Sequence, residues 1–281
     1  MNAEIEIRRT TFEDEVELKQ LVKLQNFVYA FRGLKFTTEL FKKWYVDNPL
    51  GKVVSFSAFD GDKMVAHYAC IPTQMLIEGK VVNGIHSMAV VTHPDYRGKG
   101  LFIALARKTY ELAKELGYEF VMGVSNANSF HGFMKNFPFT FIGRLDVKWG
   151  WGPVKYTDKT FSKHWTDSTL NWRLSIKDYR RRDNTIYAKY GNIPFIKTVL
   201  GYIPDILLQH ISINLKPSLL RPFNLYVGIG MDLSEGIYFD MPKFIKHSPF
   251  NLRFMDLTED KHLPEVNKDN IVFQLLDFDV I

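Results

Sequence analysis

The alternation of apolar and polar residues over the first third of the chain predicts helices mixed with antiparallel strands. Ile5 and Ile7 alternate with charged residues, as in a half-buried strand. Leucines then recur at helical spacing up to about Ala30. A shorter helix over 38–46 ends before Asn48-Pro49, because the residue before a proline avoids helical geometry. Turn signals at Asp60-Gly61-Asp62 and Glu78-Gly79-Lys80 separate the strands predicted next, at 53–59, 63–71 and 81–92.

The hydrophobic pattern next predicts two more helices with one strand between them. Beyond them the pattern is harder to interpret. Leucines at helical spacing predict an amphipathic helix over 101–116, ended by Gly117. A strand-like run follows at 118–124, and a second helix begins near Asn126. The run Trp149-Gly150-Trp151-Gly152-Pro153 predicts a boundary, since two glycines and a proline interrupt regular structure. We therefore expect two domains, 1–150 and 151–281, with later strands at 184–190, 225–231, 252–256 and 271–276.

The loop between the strand that ends at Thr92 and the helix that starts at Leu101 has the composition of an anion site. A strand that runs through a short loop into a helix directs backbone N–H groups at the positive end of the helix dipole. Arg97 and Lys99 add positive charge, while Gly98 and Gly100 allow close approach of the backbone. The loop has neither the P-loop pattern nor the three-glycine dinucleotide fingerprint. A glycine-rich surface hairpin is the alternative interpretation.

The segment Arg97-Gly98-Lys99-Gly100-Leu101-Phe102 resembles the acyl-CoA pyrophosphate loop of the GNAT superfamily of N-acyltransferases, whose pattern is Gln/Arg-x-x-Gly-x-Gly/Ala. Phe102 departs from this pattern, which has a small residue there. The order of strand, loop, helix, strand, Asn126 and helix is similar to the family over about residues 3–148, and Phe139 matches a family Phe. The resemblance implies an α/β fold with a GNAT-type mixed central sheet flanked by helices. A second, smaller α/β half follows, for which a degenerate GNAT-like unit is one interpretation.

The resemblance also implies acyl-CoA as co-substrate and names residues to hold it. The acyl group would be acetyl or 3-hydroxybutyryl, and the sequence does not decide between them. Asn126 matches the family Asn that holds the pantetheine arm. The implied acyl-CoA contacts are Val90, Val91, Thr92, Arg97, Gly98, Lys99, Gly100, Leu101, Phe102, Asn126, Ser129 and Phe133.

The implied mechanism is direct attack of a neutral amine on the thioester, through a tetrahedral intermediate. Backbone N–H groups near Met88 and Val90 would stabilise the oxyanion, and Asn126 would keep the thioester in place. The family's Tyr acid would fall at Phe133, which cannot donate a proton, so the acid is missing or relocated.

His86 is the candidate general base, because an imidazole titrates near physiological pH. Strand alternation places it on the same side as a carboxylate that some family members use. A hydrogen-bonded structural histidine is the competing interpretation, and His67 or a water relay are further alternatives.

Tryptophan-containing segments in both halves indicate where the acceptor would bind. Trp44-Tyr45-Val46-Asp47-Asn48-Pro49 and the ending Val272–Asp279 resemble GNAT-related transferases that acylate nucleotide-linked amino sugars in bacterial surface-glycan synthesis, including lipopolysaccharide O-antigen. A dTDP-amino-dideoxyhexose is an example of such an acceptor. Alternatives are a protein lysine or N-terminal acetyltransferase, a CoA-binding non-catalytic GNAT-like protein, and a transferase using aminoacyl-tRNA. The predicted acceptor contacts are Trp44, Tyr45, Asn48, His86, Trp172 and Arg173.

Composition agrees with a globular enzyme that handles polyphosphates. The chain is 46% hydrophobic and 15% aromatic, with a formal charge of +5 and a pI near 9.0. Nucleic acid would explain this balance, and a polyphosphate coenzyme with a nucleotide-linked substrate would explain it as well. We expect no nucleic-acid partner. The single Cys70 and the absence of an apolar signal core predict a cytoplasmic protein. No metal-binding pattern and no membrane-spanning segment is expected, and the oligomeric state, a homodimer included, is left open.

Overall fold

The computed structural model describes residues 5–33, 35–190, 193–218, 223–242 and 248–278. Helices flank two mixed sheets, as the α/β prediction requires. The helices are α1 (Glu15–Tyr29), α2 (Thr38–Tyr45), α3 (Leu101–Glu115), α4 (Ala127–Asn136), α5 (Asp167–Ser175) and α6 (Asp205–Leu208). The first eight strands are β1 (Ile5–Arg9), β2 (Val54–Asp60), β3 (Lys63–Ile77), β4 (Lys80–Thr92), β5 (Phe120–Ser125), β6 (Thr140–Arg144), β7 (Asp146–Trp151) and β8 (Phe161–Lys163).

The later strands build most of the second sheet. They are β9 (Arg180–Arg182), β10 (Thr185–Tyr190), β11 (Ile193–Tyr202), β12 (Lys216–Pro217), β13 (Phe223–Ile229), β14 (Ile237–Asp240), β15 (Asn251–Asp256) and β16 (Phe273–Gln274). The first sheet has the order β1-β2-β3-β4-β5-β15-β6, with β8 beside β3. The second has the order β12-β9-β10-β11-β13-β7-β14, with β16 beside β13.

The two sheets repeat one pairing pattern. In the first, β2, β3 and β4 are antiparallel, and β4 then runs parallel to β5. In the second, β9, β10 and β11 are antiparallel, and β11 runs parallel to β13. A tryptophan-bearing helix precedes each series, α2 before β2 and α5 before β9. The second half is therefore built on the same order of strands as the first.

Each half also gives one strand to the other. Strand β7 leaves the first half and pairs with β13 and β14 in the second sheet. Strand β15 returns from the second half and lies between β5 and β6 in the first sheet. The expectation that glycines interrupt regular structure at 149–152 was wrong, because Gly150 lies within β7, opposite Asn224 and Tyr238. This exchange joins the two halves through backbone hydrogen bonds.

Both faces of the first sheet are covered. Helices α3 and α4 pack on one face, around Leu105, Tyr110, Val121 and Phe133. Helices α1 and α2 pack on the other face, where aromatic residues dominate. A third apolar cluster spans both sheets and holds Phe120, Phe161, Leu252 and Phe273. Among the described residues, the sheet is therefore packed with apolar side chains on both faces.

Candidate active site

Strands β4 and β5 separate partway along their length, which opens a cleft in the first sheet. Their parallel pairing runs from Gly84 opposite Phe120 to Ser87 opposite Gly123 and goes no further. Beyond Ser87, β4 remains paired with β3 up to Thr92. Its other edge, from Met88 onward, has no strand beside it among the described residues. Backbone groups on this edge are therefore available to a ligand, at the carboxyl ends of two parallel strands.

A bulge in β4 lies at the start of this cleft. Ala69 of β3 is opposite Ala89 and Cys70 is opposite Ser87, so Met88 is the extra residue. A bulge changes the direction of neighbouring side chains and frees backbone groups from the ladder. His86 precedes the bulge and faces away from Ser87, because neighbouring residues of a strand alternate. The predicted orientation of His86 is thus compatible with the structure.

The anion loop ends in an open helix terminus. Gly98 has φ +75° and Gly100, the residue before α3, has φ +73°. Side chains rarely adopt this left-handed region, which explains glycine at both positions. A Cβ built on either glycine meets no atom within 4 Å, so the space above the loop is free. The first backbone N–H groups of α3 have no partner inside the helix and fit a phosphate there.

The rest of the loop is held by its neighbours. The Tyr96 hydroxyl donates to Asp60, and the Lys99 Nζ lies 4.9 Å from the centre of the Tyr96 ring. Arg97 and Lys99 are both exposed. On the cleft edge, the Tyr29 hydroxyl donates to the Val90 carbonyl oxygen at 3.0 Å. The positive groups predicted for the pyrophosphate therefore lie on one accessible surface.

Asn126 caps helix α4 with its side-chain oxygen, which leaves its side-chain nitrogen available as a donor. Its Oδ1 accepts from the backbone N–H groups of Asn128 and Ser129, both at 3.0 Å, and from the Ser129 hydroxyl at 3.2 Å. Asn126 is therefore the N-cap of α4. Its Nδ2 group has no hydrogen-bond partner within the described part of the chain. Asn126 can cap the helix with its oxygen and donate to a ligand with its nitrogen.

Phe102 and Phe133 lie in the core under α4. The Phe133 side chain is 1% exposed, and the Phe102 ring packs edge-on against it with centroids 4.8 Å apart. Gly132 makes room for Phe102, since a Cβ there would come within 3.0 Å of the Phe102 ring. Phe102 therefore joins α3 to α4 through ring packing. The Phe133 ring is covered by protein, and its predicted contact with acyl-CoA stays a prediction.

A small cavity lies on the other face of the first sheet, next to the bulge. It is bounded by α2, β3, β4, the segment at 163–165, α5 and the C-terminal segment at 276–278. Its free volume of about 30 Å³ is enough for an amino group or a water molecule. The lining residues are Trp44, Ile71, Pro72, Thr73, His86, Met88, Lys163, Trp165, Trp172, Arg173, Ile176, Leu276, Asp277 and Phe278.

Two polar atoms of this lining are buried without a partner. Trp44 is 1% exposed and His86 is 5% exposed, and among the described residues neither the Trp44 Nε1 nor the His86 Nδ1 has a hydrogen-bond partner. A buried polar group without a partner costs about 1–3 kcal/mol, so such groups need an explanation. Both atoms belong to residues that face one cavity. A polar ligand in this cavity would satisfy them.

Charged groups of opposite sign meet in the same cavity. The Lys163 Nζ donates to the Thr73 hydroxyl and lies 4.9 Å from the Trp165 ring centre. Burial lowers the pKa of the Lys163 amine and raises the pKa of the Asp277 carboxyl. The Asp277 oxygens accept from the Gln274 backbone N–H at 2.8 Å and from the Trp165 indole at 3.3 Å. Both groups can change protonation nearer to neutral pH than they would in water.

His86 is a neutral imidazole in this environment. Burial, together with the positive charges of Lys163, Arg253 and Arg173, lowers the pKa of His86 to about 3. A group with so low a pKa is a weak proton acceptor at physiological pH. Its Nδ1 can still form a hydrogen bond with a ligand. The role of His86 as general base stays a prediction, and a lowered pKa makes it less favourable.

Some of the other residues predicted to contact the acceptor line the cavity, and the rest are hydrogen-bonded to neighbouring protein groups. Trp44, Trp172 and Arg173 line the cavity with His86, and their contact with an acceptor stays a prediction. Tyr45 and Asn48 do not line the cavity: the Tyr45 hydroxyl lies 3.3 Å from His67, and the Asn48 amide donates to the Pro72 carbonyl. Burial lowers the pKa of the rival His67 to about 3. Its Nδ1 lies 2.9 Å from the Ser57 hydroxyl, so His67 is a structural histidine.

Helices α2 and α5 are held together beside the cavity. The Trp172 indole N–H donates to the Lys43 carbonyl at 2.7 Å, and the Lys43 amine donates to the Ser175 carbonyl at 2.6 Å. Arg173 donates from Nε to the Leu276 carbonyl at 3.0 Å and from Nη2 to the Phe278 carbonyl at 3.4 Å. Asp279, which ends the quoted motif, lies outside the described residues. Trp44 and Trp172 therefore lie on two helices that border the same cavity.

Sequence reasoning missed Lys163, Thr73, Trp165 and Asp277 as site residues. Asp277 lies within the C-terminal motif that the sequence analysis quoted, so a signal for it was present. Lys163 had none, because an isolated lysine is common on protein surfaces. No cluster of His, Cys, Asp or Glu suited to a metal ion occurs in the described residues. No helix of the described chain is long and apolar enough to cross a membrane.

One family model matches the first half of the chain. Residues 6–139 match the family model of the acetyltransferase (GNAT) domain. Residues 6–139, just under half of the chain, are therefore similar to a GNAT acetyltransferase domain. The sequence matches none of the curated proteins.

Solved structures share the fold beyond this domain. A conserved protein of unknown function from Enterococcus faecalis V583 is 10% identical, with a TM-score of 0.57 over 90% of this chain and 73% of its own. A GCN5-related N-acetyltransferase from Kribbella flavida is 12% identical, with a TM-score of 0.56 over 90% of this chain and 72% of its own. Saccharomyces cerevisiae N-myristoyltransferase with bound myristoyl-CoA is 13% identical, with a TM-score of 0.50 over 73% of this chain and 64% of its own. These identities show the fold alone, and the fold includes the second half.

Proposed function

We propose that this enzyme transfers an acyl group from acyl-CoA to the amine of an amino sugar linked to a nucleotide. The observation that carries the proposal is the pair of unpartnered buried atoms, Trp44 Nε1 and His86 Nδ1, in residues lining one cavity beside the cleft. The aromatic rings of Trp44, Trp165 and Trp172 suit the apolar face of a sugar ring. The nucleotide link rests on the sequence resemblance alone.

The cleft and the anion loop suit acyl-CoA as the donor. Gly98, Gly100 and the start of α3 would hold the pyrophosphate, with Arg97 and Lys99 as counter-charges. The Nδ2 of Asn126 would donate to the pantetheine arm. Acyl-CoA supplies the activated acyl thioester. The free edge of β4 from Met88 to Val90 supplies backbone N–H groups where negative charge develops on the carbonyl oxygen.

The acceptor amine would enter the cavity from the opposite side of the sheet. The free volume of about 30 Å³ admits the reacting amino group, while the body of the acceptor requires the cavity walls to open outward. The neutral His86 Nδ1 accepts a hydrogen bond from the amine and orients it. Trp44 Nε1 donates to an acceptor oxygen.

The pair Lys163 and Asp277 would take up the proton that the amine must lose. Burial favours the uncharged form of each group and so brings the two pKa values toward neutrality. A base of that strength is better matched to an ammonium ion than an imidazole whose pKa is about 3. The enclosed cavity also favours a small acceptor over a protein lysine, which needs an open groove.

A ligand panel tests this proposal. Thermal unfolding is measured with acetyl-CoA, 3-hydroxybutyryl-CoA, dTDP-linked and UDP-linked amino sugars, free amino sugars and a lysine peptide. A ligand that binds only the folded state raises its melting temperature. We expect stabilisation by acyl-CoA and by a nucleotide-linked amino sugar, and none by the peptide. Stabilisation by the peptide in place of the sugars would overturn the proposed acceptor.

A further inference from the structure

We propose that Arg253, supplied by the second half of the chain, is the cation that stabilises the departing CoA thiolate. This inference rests on the proposed use of acyl-CoA. The family position for a proton donor is occupied by Phe133, so the thiolate needs another source of stabilisation. Arg253 lies directly against that residue, with its guanidinium carbon 3.5 Å from the centre of the Phe133 ring.

The guanidinium lies where the cleft begins. Arg253 is on β15, opposite Gly123 of β5. Its Nε donates to the Ser125 hydroxyl at 2.7 Å and its Nη2 donates to the Ser87 hydroxyl at 3.0 Å. Ser87 is the last β4 residue paired with β5, and Ser125 immediately precedes Asn126. The positive charge is therefore fixed between the two strands at the point where they part.

The absence of a side chain at Gly123 leaves room for the Arg253 guanidinium between the two strands. A Cβ there would come within 2.9 Å of the Ser87 Cβ and within 3.2 Å of the Arg253 Nη2. Any larger residue at 123 would displace the guanidinium from the strand junction. The sequence thus combines a glycine on β5 with an arginine from a strand of the other half.

The charge of Arg253 has no anionic partner in the described residues. Its side chain is 1% exposed, its hydrogen bonds go to neutral hydroxyl groups, and no carboxylate pairs with it. Its Nη1 is buried without any hydrogen-bond partner. The rings of Phe133 and Phe139, the latter 4.4 Å away, compensate part of the charge. A buried cation that lacks an anion is costly to keep, and a transient anion in the cleft explains it.

Attack and departure take place on opposite faces of the sheet. His86 and the acceptor cavity lie on one face, while Ser87 and Arg253 lie on the face covered by α3 and α4. The amine nitrogen forms the new bond to the acyl carbon as the bond from carbon to sulfur breaks. Sulfur keeps the electron pair and becomes a thiolate, and the proton from nitrogen passes to the Lys163 and Asp277 pair. The positive field of Arg253 acts on the sulfur in a medium of low dielectric.

The test measures the pKa of the CoA thiol when free CoA is bound. Thiolate absorbance in the ultraviolet is followed against pH, with the signal of the protein alone subtracted. The single protein thiol does not interfere, since burial raises the pKa of Cys70 to about 12. We expect wild type to lower the thiol pKa by about one unit or more, the range for an adjacent opposite charge. Arg253→Met should restore the value of free CoA, and Arg253→Lys should keep part of the shift.

Arg107→Met is the matched control. Arg107 also lies near the aromatic cluster, with its guanidinium carbon 5.9 Å from the Phe137 ring centre, but it is exposed. Its removal changes the net charge equally and should leave the thiol pKa unchanged. If Arg253→Met does not fold, Arg253→Lys against wild type decides the question. Equal thiol pKa values in wild type and in the Arg253 variants, with CoA bound in all, would overturn the role of Arg253. Failure of wild type to bind CoA would instead overturn the proposed function.

Discussion

The side chain of Gln274 joins two strands of the second sheet that would otherwise part. Its Oε1 accepts from the Tyr202 backbone N–H at 2.8 Å, and its Nε2 donates to the Tyr202 carbonyl at 3.2 Å. Its backbone pairs with Gly228 of β13. Residues 273–274 therefore fill, in the second half, the gap that corresponds to the cleft between β4 and β5. The same C-terminal segment continues to Asp277 and Phe278 in the acceptor cavity.

One acyl-CoA molecule per chain is the first prediction. Gln274 closes the second gap, and among the described residues the four-residue helix α6 is the helix between β11 and β13, where the first half has α3 between β4 and β5. Isothermal titration of the protein with CoA should give a stoichiometry of one per chain. A second site of comparable affinity would show that the C-terminal segment leaves the gap.

Gly100→Glu should weaken CoA binding at least about tenfold, equivalent to about 1.4 kcal/mol. The carboxylate would repel the pyrophosphate, and the side chain would occupy the free space above the loop. Arg97→Ala should cost about 1–3 kcal/mol, the scale of a charged hydrogen bond. Calorimetry on folded protein measures both.

A glutamate at φ +73° also strains the backbone by about 1–2 kcal/mol. Gly79→Glu is the matched control, because Gly79 has φ +77° and open space around it, at the far end of β4. The control should lose comparable stability and keep its CoA affinity. Equal CoA affinity in Gly100→Glu and Gly79→Glu would contradict the assignment of the loop.

Asn126→Asp separates the two roles of Asn126. Aspartate retains the oxygen that accepts from Asn128 and Ser129, so α4 stays capped. It lacks the Nδ2 donor, so binding of acyl-CoA should weaken while the melting temperature stays unchanged. Asn126→Ala should lose both, with about 0.5–2 kcal/mol of stability. Unchanged acyl-CoA affinity in Asn126→Asp would show that Asn126 caps the helix and does not bind acyl-CoA.

Lys163→Met should lower the rate by roughly 10²–10⁴-fold, the range for removal of a general base. A protonated Lys163 cannot accept a proton, so kcat/KM of wild type should fall as pH drops below the pKa of Lys163. Lys163→Met should lose that part of the profile, measured with the same acceptor amine.

His86→Gln should show the same fall of kcat/KM at low pH as wild type, because the pKa of His86 is lowered to about 3 and a group with that pKa is already neutral at higher pH. It should chiefly raise the KM for the acceptor. If the fall in kcat/KM at low pH disappears in His86→Gln and persists in Lys163→Met, His86 is the general base.

Local features of the first half could be predicted from the sequence. The helix over 101–115, the loop before it and the capped start of α4 each depend on residues close together in the chain. Glycines at positive φ and an asparagine at a helix start signal their own geometry. Trp44 and Trp172 could be named from the sequence because each lies in a short helix-like segment.

Features that depend on the strand exchange could not be predicted. Arg253 meets Ser125 only because β15 returns to the first sheet across more than a hundred residues. No local pattern distinguishes this arginine from the many on protein surfaces. The lowered pKa of His86 likewise comes from burial and from charges on three distant elements. The periodicity of the sequence predicts which face of a strand a side chain lies on. The residues that pack against that face determine the pKa of the side chain.

Acyl transfer by wild type and Trp44→Phe tests the central claim most directly. Release of CoA and formation of the N-acyl product are measured with acetyl-CoA and a nucleotide-linked amino sugar. Trp44→Phe keeps the apolar ring and removes the unpartnered Nε1 donor. Trp151→Phe, at a side chain 49% exposed on β7, is the control.

We predict turnover by wild type and by the control, with equal KM for acetyl-CoA in all three proteins. The KM for the acceptor should rise about tenfold in Trp44→Phe, as for the loss of one hydrogen bond worth about 1.4 kcal/mol. An unchanged acceptor KM in Trp44→Phe, or no N-acylated product from any amino sugar, would contradict the account.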